Sequence, residues 1–217
     1  MPSRPLTPPK RDKVNIKLMV LGDLRVGKTS LIQRFLRGSA FTMPKYKPTY
    51  AADFVHKNVV LRDKPRTLQI WDTSGNERQR APDRAFFKGV DALVLVFDQR
   101  RASTFAPALD RHLDDFLAHA ACPDPRLLPV VVIGNRAGEK NESEATSGTT
   151  GKQSESESEG GEREVRRSEV EAWCRGRVEG NRLFAYFEAS AKEGAHVDDA
   201  FLHAANAVLD VHHGAVH

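Results

Sequence analysis

The chain has 217 residues, 40% of them hydrophobic, which is enough for one core of ordinary size. Its 33 basic and 29 acidic side chains leave a net charge of +4, too mild a balance to point to nucleic acid. Cys122 and Cys174 form neither a metal pattern nor a disulfide framework, no apolar run approaches the length of a membrane span, and the first residues hold no signal-peptide core; a soluble protein of a reducing, intracellular compartment is expected.

Residues 1–13 carry four prolines and a net charge of +3, the composition of a disordered basic tail. Val14–Leu21 then reads as a strand interrupted by Lys17, and Thr29–Leu36 as a helix carrying Leu31, Ile32 and Phe35. Between them lies Gly22-Asp23-Leu24-Arg25-Val26-Gly27-Lys28-Thr29, a glycine, four free positions, then Gly-Lys-Thr. A strand, a glycine-bounded loop and a helix in that order form a phosphate cradle. Successive backbone N–H groups line the loop, and the helix N-terminus adds its dipole. Lys28 is placed to reach the β- and γ-phosphates of a nucleotide and the Thr29 hydroxyl to hold Mg²⁺.

The polar run Gly38–Thr49 precedes two strands, Ala52–Leu61 and Arg66–Trp71, separated by a predicted hairpin turn at Arg62–Pro65. The second delivers Asp72-Thr73-Ser74-Gly75 to its C-terminal end, where α/β sheets place ligand residues. Ala92–Phe97 is continuously apolar, a strand buried on both faces. Ser103–Ala121 is a predicted helix with Phe105, Leu109, Leu113, Phe116 and Leu117 on one stripe, and Val130–Ile133 a buried strand running into Gly134-Asn135-Arg136. Residues 138–164 change character abruptly. With eight acidic and three basic side chains and no large apolar one, they read as a disordered acidic Ser/Glu/Gly insert within the domain rather than a linker. Its serines sit in an acidic context open to phosphorylation, or the insert is simply solvated. The pattern resumes with a helix at Arg167–Arg175, a strand at Leu183–Ala189 and a helix at Val197–Val211. Alternating strands and helices predict a three-layer α/β domain over 14–213.

Lys47-Pro48-Thr49, Asp72–Gly75, Gly134-Asn135-Arg136 and Ser190-Ala191-Lys192 follow the phosphate loop in fixed order. With these pieces the chain resembles the small Ras-like GTPases. Tyr46–Phe54, Trp71–Arg78 and Phe86–Asp91 resemble Rab switch and interswitch signatures, and Asp115–Leu117, Ala172–Cys174 and Phe187–Lys192 resemble most the late-endosomal and lysosomal Rab. The resemblance implies a phosphate-loop G domain with a six-stranded, mostly parallel sheet and helices on both faces, binding GTP and GDP with Mg²⁺. It also implies roles. Lys28 and the backbone from Gly22 to Ser30 would hold the phosphates. Thr29 and Thr49 would coordinate Mg²⁺, with Asp72 acting through water, and Gly75 would give a backbone N–H to the γ-phosphate. Asn135, Arg136, Ser190, Ala191 and Lys192 would surround the guanine base. Phe54, Trp71 and Phe87 would present an apolar surface to effectors, exchange factors and GTPase-activating proteins, the alternative for each being simple packing.

The chain departs from the family at several of these positions. Asn76 stands where the family has the water-orienting Gln and is one methylene shorter, so slow hydrolysis is expected. Leu24 and Arg25 replace small residues; Leu24 would crowd the attacking water, and Arg25 either touches phosphate or faces solvent. Asn135-Arg136-Ala137-Gly138 lacks the base-reading Asp, worth roughly 1.5–3 kcal/mol per charge-assisted hydrogen bond. Ala51 replaces a glycine. No cysteine lies beyond Cys174 to carry a C-terminal lipid, so membrane association is expected to come from elsewhere. The expected protein is a monomeric, slowly hydrolysing Rab-like switch in endosomal or lysosomal vesicle trafficking, cytoplasmic or peripheral on late-endosome membranes. Two alternatives stay open: a catalytically impaired, Rab-shaped interaction module, and a nucleotide binder of relaxed specificity.

Overall fold

The computed structural model describes residues 13–42, 53–74, 84–122, 124–136, 163–177 and 184–214. In chain order its elements are β1 (Asn15–Leu21), α1 (Lys28–Arg37), β2 (Asp53–Leu61), β3 (Lys64–Asp72), β4 (Ala92–Asp98), α2 (Ala106–His119), β5 (Val130–Asn135), α3 (Arg167–Arg177), β6 (Phe184–Ala189) and α4 (Val197–His213). The strands form one six-stranded sheet in the order β2-β3-β1-β4-β5-β6, with only the β2–β3 pair antiparallel. This is the expected mostly parallel α/β sheet.

Alternation along the strands builds the two outer layers. Ile16, Leu18 and Val20 of β1 face one side, where Leu31, Ile32 and Phe35 of α1 meet Phe201, Ala204 and Val208 of α4. Met19 and Leu21 face the other side, against Leu109, Leu113 and Phe116 of α2 and Val170 and Cys174 of α3. Every residue of β4 is buried, as a continuously apolar strand covered by helices on both faces must be. Phe35 stacks on Phe201 at 4.6 Å between ring centroids, joining the two helices of the first layer.

Two predicted boundaries shift for local reasons. The hairpin turn is Arg62-Asp63 alone, both residues at positive φ (52° and 59°), and Leu61 already pairs with Lys64. Two consecutive left-handed residues have the twist of a two-residue hairpin, so β3 begins earlier than the Asp-Lys-Pro run suggested. α2 starts at Ala106 because Ala102–Thr104 forms a separate 3-10 turn ahead of it. Among the described residues no helix is long and apolar enough to cross a membrane. All but the last residue of the basic tail 1–13 and most of the acidic insert lie outside the described residues.

Candidate functional site

β1 ends at Leu21, and the chain turns through Gly22 to Gly27 into α1 at the C-terminal edge of the parallel strands. Both glycines are required by close approaches. Gly22 has φ +147°, and a Cβ there would lie 2.1 Å from the Val96 carbonyl oxygen of β4. Gly27 has φ +92°, and a Cβ would lie 2.2 Å from Nδ2 of Asn135. Lys28 is 4% exposed, and its ammonium donates to the carbonyls of Gly22 at 2.6 Å and Asp23 at 3.0 Å, folding back over the loop it follows. Ser30, next to Thr29 on α1, is half-buried.

Thr29 Oγ1 donates to Asp72 Oδ2 at 2.6 Å, bringing the first turn of α1 to the end of β3. Asp72 is only 7% exposed, and its second oxygen, Oδ1, is buried with no hydrogen-bond partner among the described residues. Burial pushes its carboxyl above the ordinary range. The Thr29 bond and the Lys28 charge oppose that shift, and Asp53 adds to it. A buried carboxylate oxygen without a donor, beside a hydroxyl, is an oxygen donor set that suits a hard divalent cation. Thr73, next in sequence, donates its hydroxyl to the Val20 carbonyl at 2.9 Å and pins this corner to β1.

The outer arc of the loop is held from α2. Asp23 Oδ1 accepts from Arg111 Nη2 at 2.8 Å and lies 2.9 Å from Nε2 of the buried His112. Burial alone would raise the Asp23 carboxyl, but the bonds and charges of His112 and Arg111 together outweigh it and hold the group below its ordinary value. Arg101, ion-paired with Asp98, donates to the Leu24 carbonyl at 3.1 Å. Leu24 is 37% exposed, and Arg25 sits at φ +60°, in a conformation glycine adopts without cost. Arg101, Arg111 and His112 carry no local signal of this role, being polar positions of α2 and of the loop before it.

At the C-terminal end of β5, Asn135 Nδ2 donates to the Val26 carbonyl at 2.8 Å and its Oδ1 accepts from the Ala191 N–H at 3.3 Å. One carboxamide thus ties the phosphate loop to the turn after β6. Ser190 Oγ accepts from the Glu193 N–H at 3.1 Å within that turn. Arg136 and Lys192 are exposed; the Arg136 N–H donates to the Ala189 carbonyl at 3.0 Å, and its guanidinium lies 3.9 Å from Glu193. Thr49, Gly75, Asn76 and Ala51 lie outside the described residues, as does the chain after Arg136 where the base-reading Asp is missing.

The aromatic surface differs from expectation at one position. Phe54, 49% exposed, stacks on Trp71 at 5.0 Å, and Trp71 meets Phe86 at 4.9 Å. Phe87 is 1% exposed and packs on Phe116 of α2 at 5.2 Å, so it belongs to the core rather than to a partner surface. The two phenylalanines occupy adjacent positions of the 3-10 turn Arg84–Phe87, where successive side chains diverge by a third of a revolution. Lys17 fixes which one faces Trp71. Its ammonium donates to the carbonyls of Phe86 at 2.6 Å and Lys88 at 2.8 Å and lies 4.7 Å above the Trp71 ring.

Residues 17–210 match the Ras family. The chain belongs to the Ras family. Its relatives there include GTP-binding protein YPTC5 of Chlamydomonas reinhardtii, 38% identical over 86% of this chain and 78% of that protein. They also include Ras-related protein RABG3e of Arabidopsis thaliana, 37% identical over 89% of this chain and 82% of that protein. Ras-related protein Rab7 of Glycine max is 37% identical over 94% and 86%. As a Ras-family member of the Rab type, the chain is a small GTPase.

Proposed function

We propose that this protein is a Mg²⁺-dependent GTP/GDP switch of endosomal and lysosomal vesicle trafficking whose hydrolytic step is slow. The observation that carries the reading is the convergence of Lys28, Thr29 and the buried, half-unpartnered Asp72 at one edge of the sheet. Lys28 would give its charge to the β- and γ-phosphates, with the loop amides and the helix start supplying the remaining donors. Thr29, Thr49 and, through water, Asp72 would hold Mg²⁺. The bound ion would neutralise charge building on the bridging and terminal phosphate oxygens.

Slow turnover follows from two residues. Asn76 has a shorter reach than Gln toward the attacking water, and Leu24, 37% exposed, puts a bulky side chain on the loop where the family has a small residue. Output would pass through Phe54, Trp71 and Phe86 to effector, exchange-factor and GTPase-activating proteins, with the monomer cytoplasmic or peripheral on late-endosome membranes. A second reading, a Rab-shaped interaction module without turnover, is favoured by the same Leu24 and Asn76.

The test is calorimetric titration of nucleotide-stripped protein with GDP, GTPγS and ADP in Mg²⁺, followed by single-turnover hydrolysis of wild type and Asn76→Gln. Tight guanine binding, slow turnover and at least a tenfold gain in Asn76→Gln support the switch. Binding without turnover in either protein supports the module.

A further inference from the structure

At the edge of the sheet opposite Gly22–Gly27, an open cleft of about 260 Å³ lies between the last turns of α4 and the segments leading into β4 and β5. Its walls include Val90, Leu127, Leu128, Pro129, Val208 and Val211, and Asp91 and Asp124 add an acidic lining. The volume admits side chains rather than single waters. Leu127 is 41% exposed, so no described part of the chain closes this apolar wall. Cys122, half-buried, also lines the cleft, whereas Cys174 is buried against α2 and β4 on one face of the sheet.

Lys13, where the described residues begin, lines the same cleft. Its ammonium pairs with Asp91 at 2.6 Å, and its carbonyl accepts from Arg66 of β3. The chain before it is therefore delivered to the cleft. That stretch contains Pro5-Leu6-Thr7-Pro8-Pro9 followed by Lys10 and Arg11. Leu6 stands seven positions before Lys13, a reach of up to about 22 Å at about 3.1 Å per extended residue. Proline has no backbone N–H, so Pro5, Pro8 and Pro9 can lie on apolar walls without stranding a donor, and their fixed φ lowers the cost of ordering. The signs also match. Lys10 and Arg11 approach a lining that holds Asp91, already paired with Lys13, and Asp124, which is shared with Arg126 yet still 32% exposed.

We infer that this cleft is the docking site of the chain's own residues 5–9, with Leu6 inserted between α4 and Leu127. The docked segment straps the start of the chain across the last turns of α4 and covers Cys122. Burial of Leu6 and the prolines supplies the hold, and the basic residues that follow fix the direction of the strap along Asp91 and Asp124. The cleft lies at the ends of β4 and β5 away from Asp72 and Asn135, so the strap is independent of whether Gly22–Gly27 binds nucleotide.

The experiment is alkylation of the full chain with iodoacetamide, the rates at Cys122 and Cys174 read separately by mass spectrometry, for wild type, Leu6→Asp, Leu6→Met and Leu127→Asp. Leu6→Asp should raise the Cys122 rate at least about threefold by undocking the segment, while the Cys174 rate stays the same and reports an intact fold. Leu127→Asp, made from the cleft side, should raise the Cys122 rate likewise. Leu6→Met keeps an apolar side chain of similar volume and should stay near the wild-type rate. Equal Cys122 rates in wild type and Leu6→Asp overturn the inference, as does a Leu6→Met rate as high as that of Leu6→Asp. A Cys122 rate that falls with rising protein concentration equally in wild type and Leu6→Asp assigns the cleft to a second copy of the chain and overturns it too.

Discussion

Thr29 and Asp72, 43 residues apart, share a hydrogen bond of 2.6 Å that leaves the second Asp72 oxygen buried and without a partner among the described residues. That orphaned oxygen makes Asp72 expensive to keep unless a cation is near. Asp72→Asn should therefore fold at least as stably as wild type yet lose at least about tenfold in the Mg²⁺-dependent part of GDP affinity. Titration with GDP in Mg²⁺ and in excess chelator separates the two effects. Equal Mg²⁺ dependence in variant and wild type would sink the assignment of Asp72 to the metal.

The 2.2 Å approach at Gly27 bears on stability more directly. Gly27→Ala places a methyl on Asn135 Nδ2 and forces a residue with a Cβ to φ +92°. A loss of about 2–4 kcal/mol is expected, combining left-handed strain with the broken Asn135–Val26 bond. Denaturant unfolding measures it. Adding Asn135→Ala should recover only part of the loss, since the backbone strain remains.

Asp23 gives a pH dependence with a definite sign. Its carboxyl is held below the ordinary value of 3.8, so the folded protein binds that proton less readily than the unfolded chain. The stabilisation is complete above about pH 4 and is lost as pH falls through the lower folded value. With the side chain partly exposed, it amounts to about 1 kcal/mol or less. The difference in unfolding midpoint between wild type and Asp23→Asn should be constant from pH 7 to 5 and narrow in stronger acid. A difference that widens in acid would contradict the Arg111–His112 clamp.

Phe86 and Phe87 separate surface from core. Phe87→Ala should cost about 3–5 kcal/mol in unfolding free energy, the range for emptying a buried aromatic site. Phe86→Ala should cost less than about 1.5 kcal/mol but weaken a partner that docks on Trp71, read by pull-down and melting temperature side by side.

Much of the fold was legible in the sequence because its signals are local. The unbroken apolar run of β4, the alternation in β3 and the Gly-Lys-Thr loop each announce their own geometry. The loop end of the candidate site was equally readable as a motif, since Lys28 and Thr29 sit next to each other. Long-range partners were not. Arg101, Arg111 and His112 look like ordinary polar positions of helices and loops, and only the packing of α2 against a distant turn gives them work. The choice between Phe86 and Phe87 failed for a related reason. Two identical residues in tandem carry no pattern, and the decision lies with Lys17 on another strand, 69 residues from the carbonyl it grips.

β3 ends with Trp71 and Asp72 side by side on opposite faces of the pleat, both paired to β1, at Met19 and Val20. One peptide bond, about 3.8 Å from Cα to Cα, is all that divides the residue proposed to meet a partner from the residue proposed to steady a bound phosphate. A protein that grips Trp71 leans on the backbone carrying Asp72. By thermodynamic reciprocity, whatever a bound phosphate does to that partner's hold, the partner does to the phosphate in equal measure.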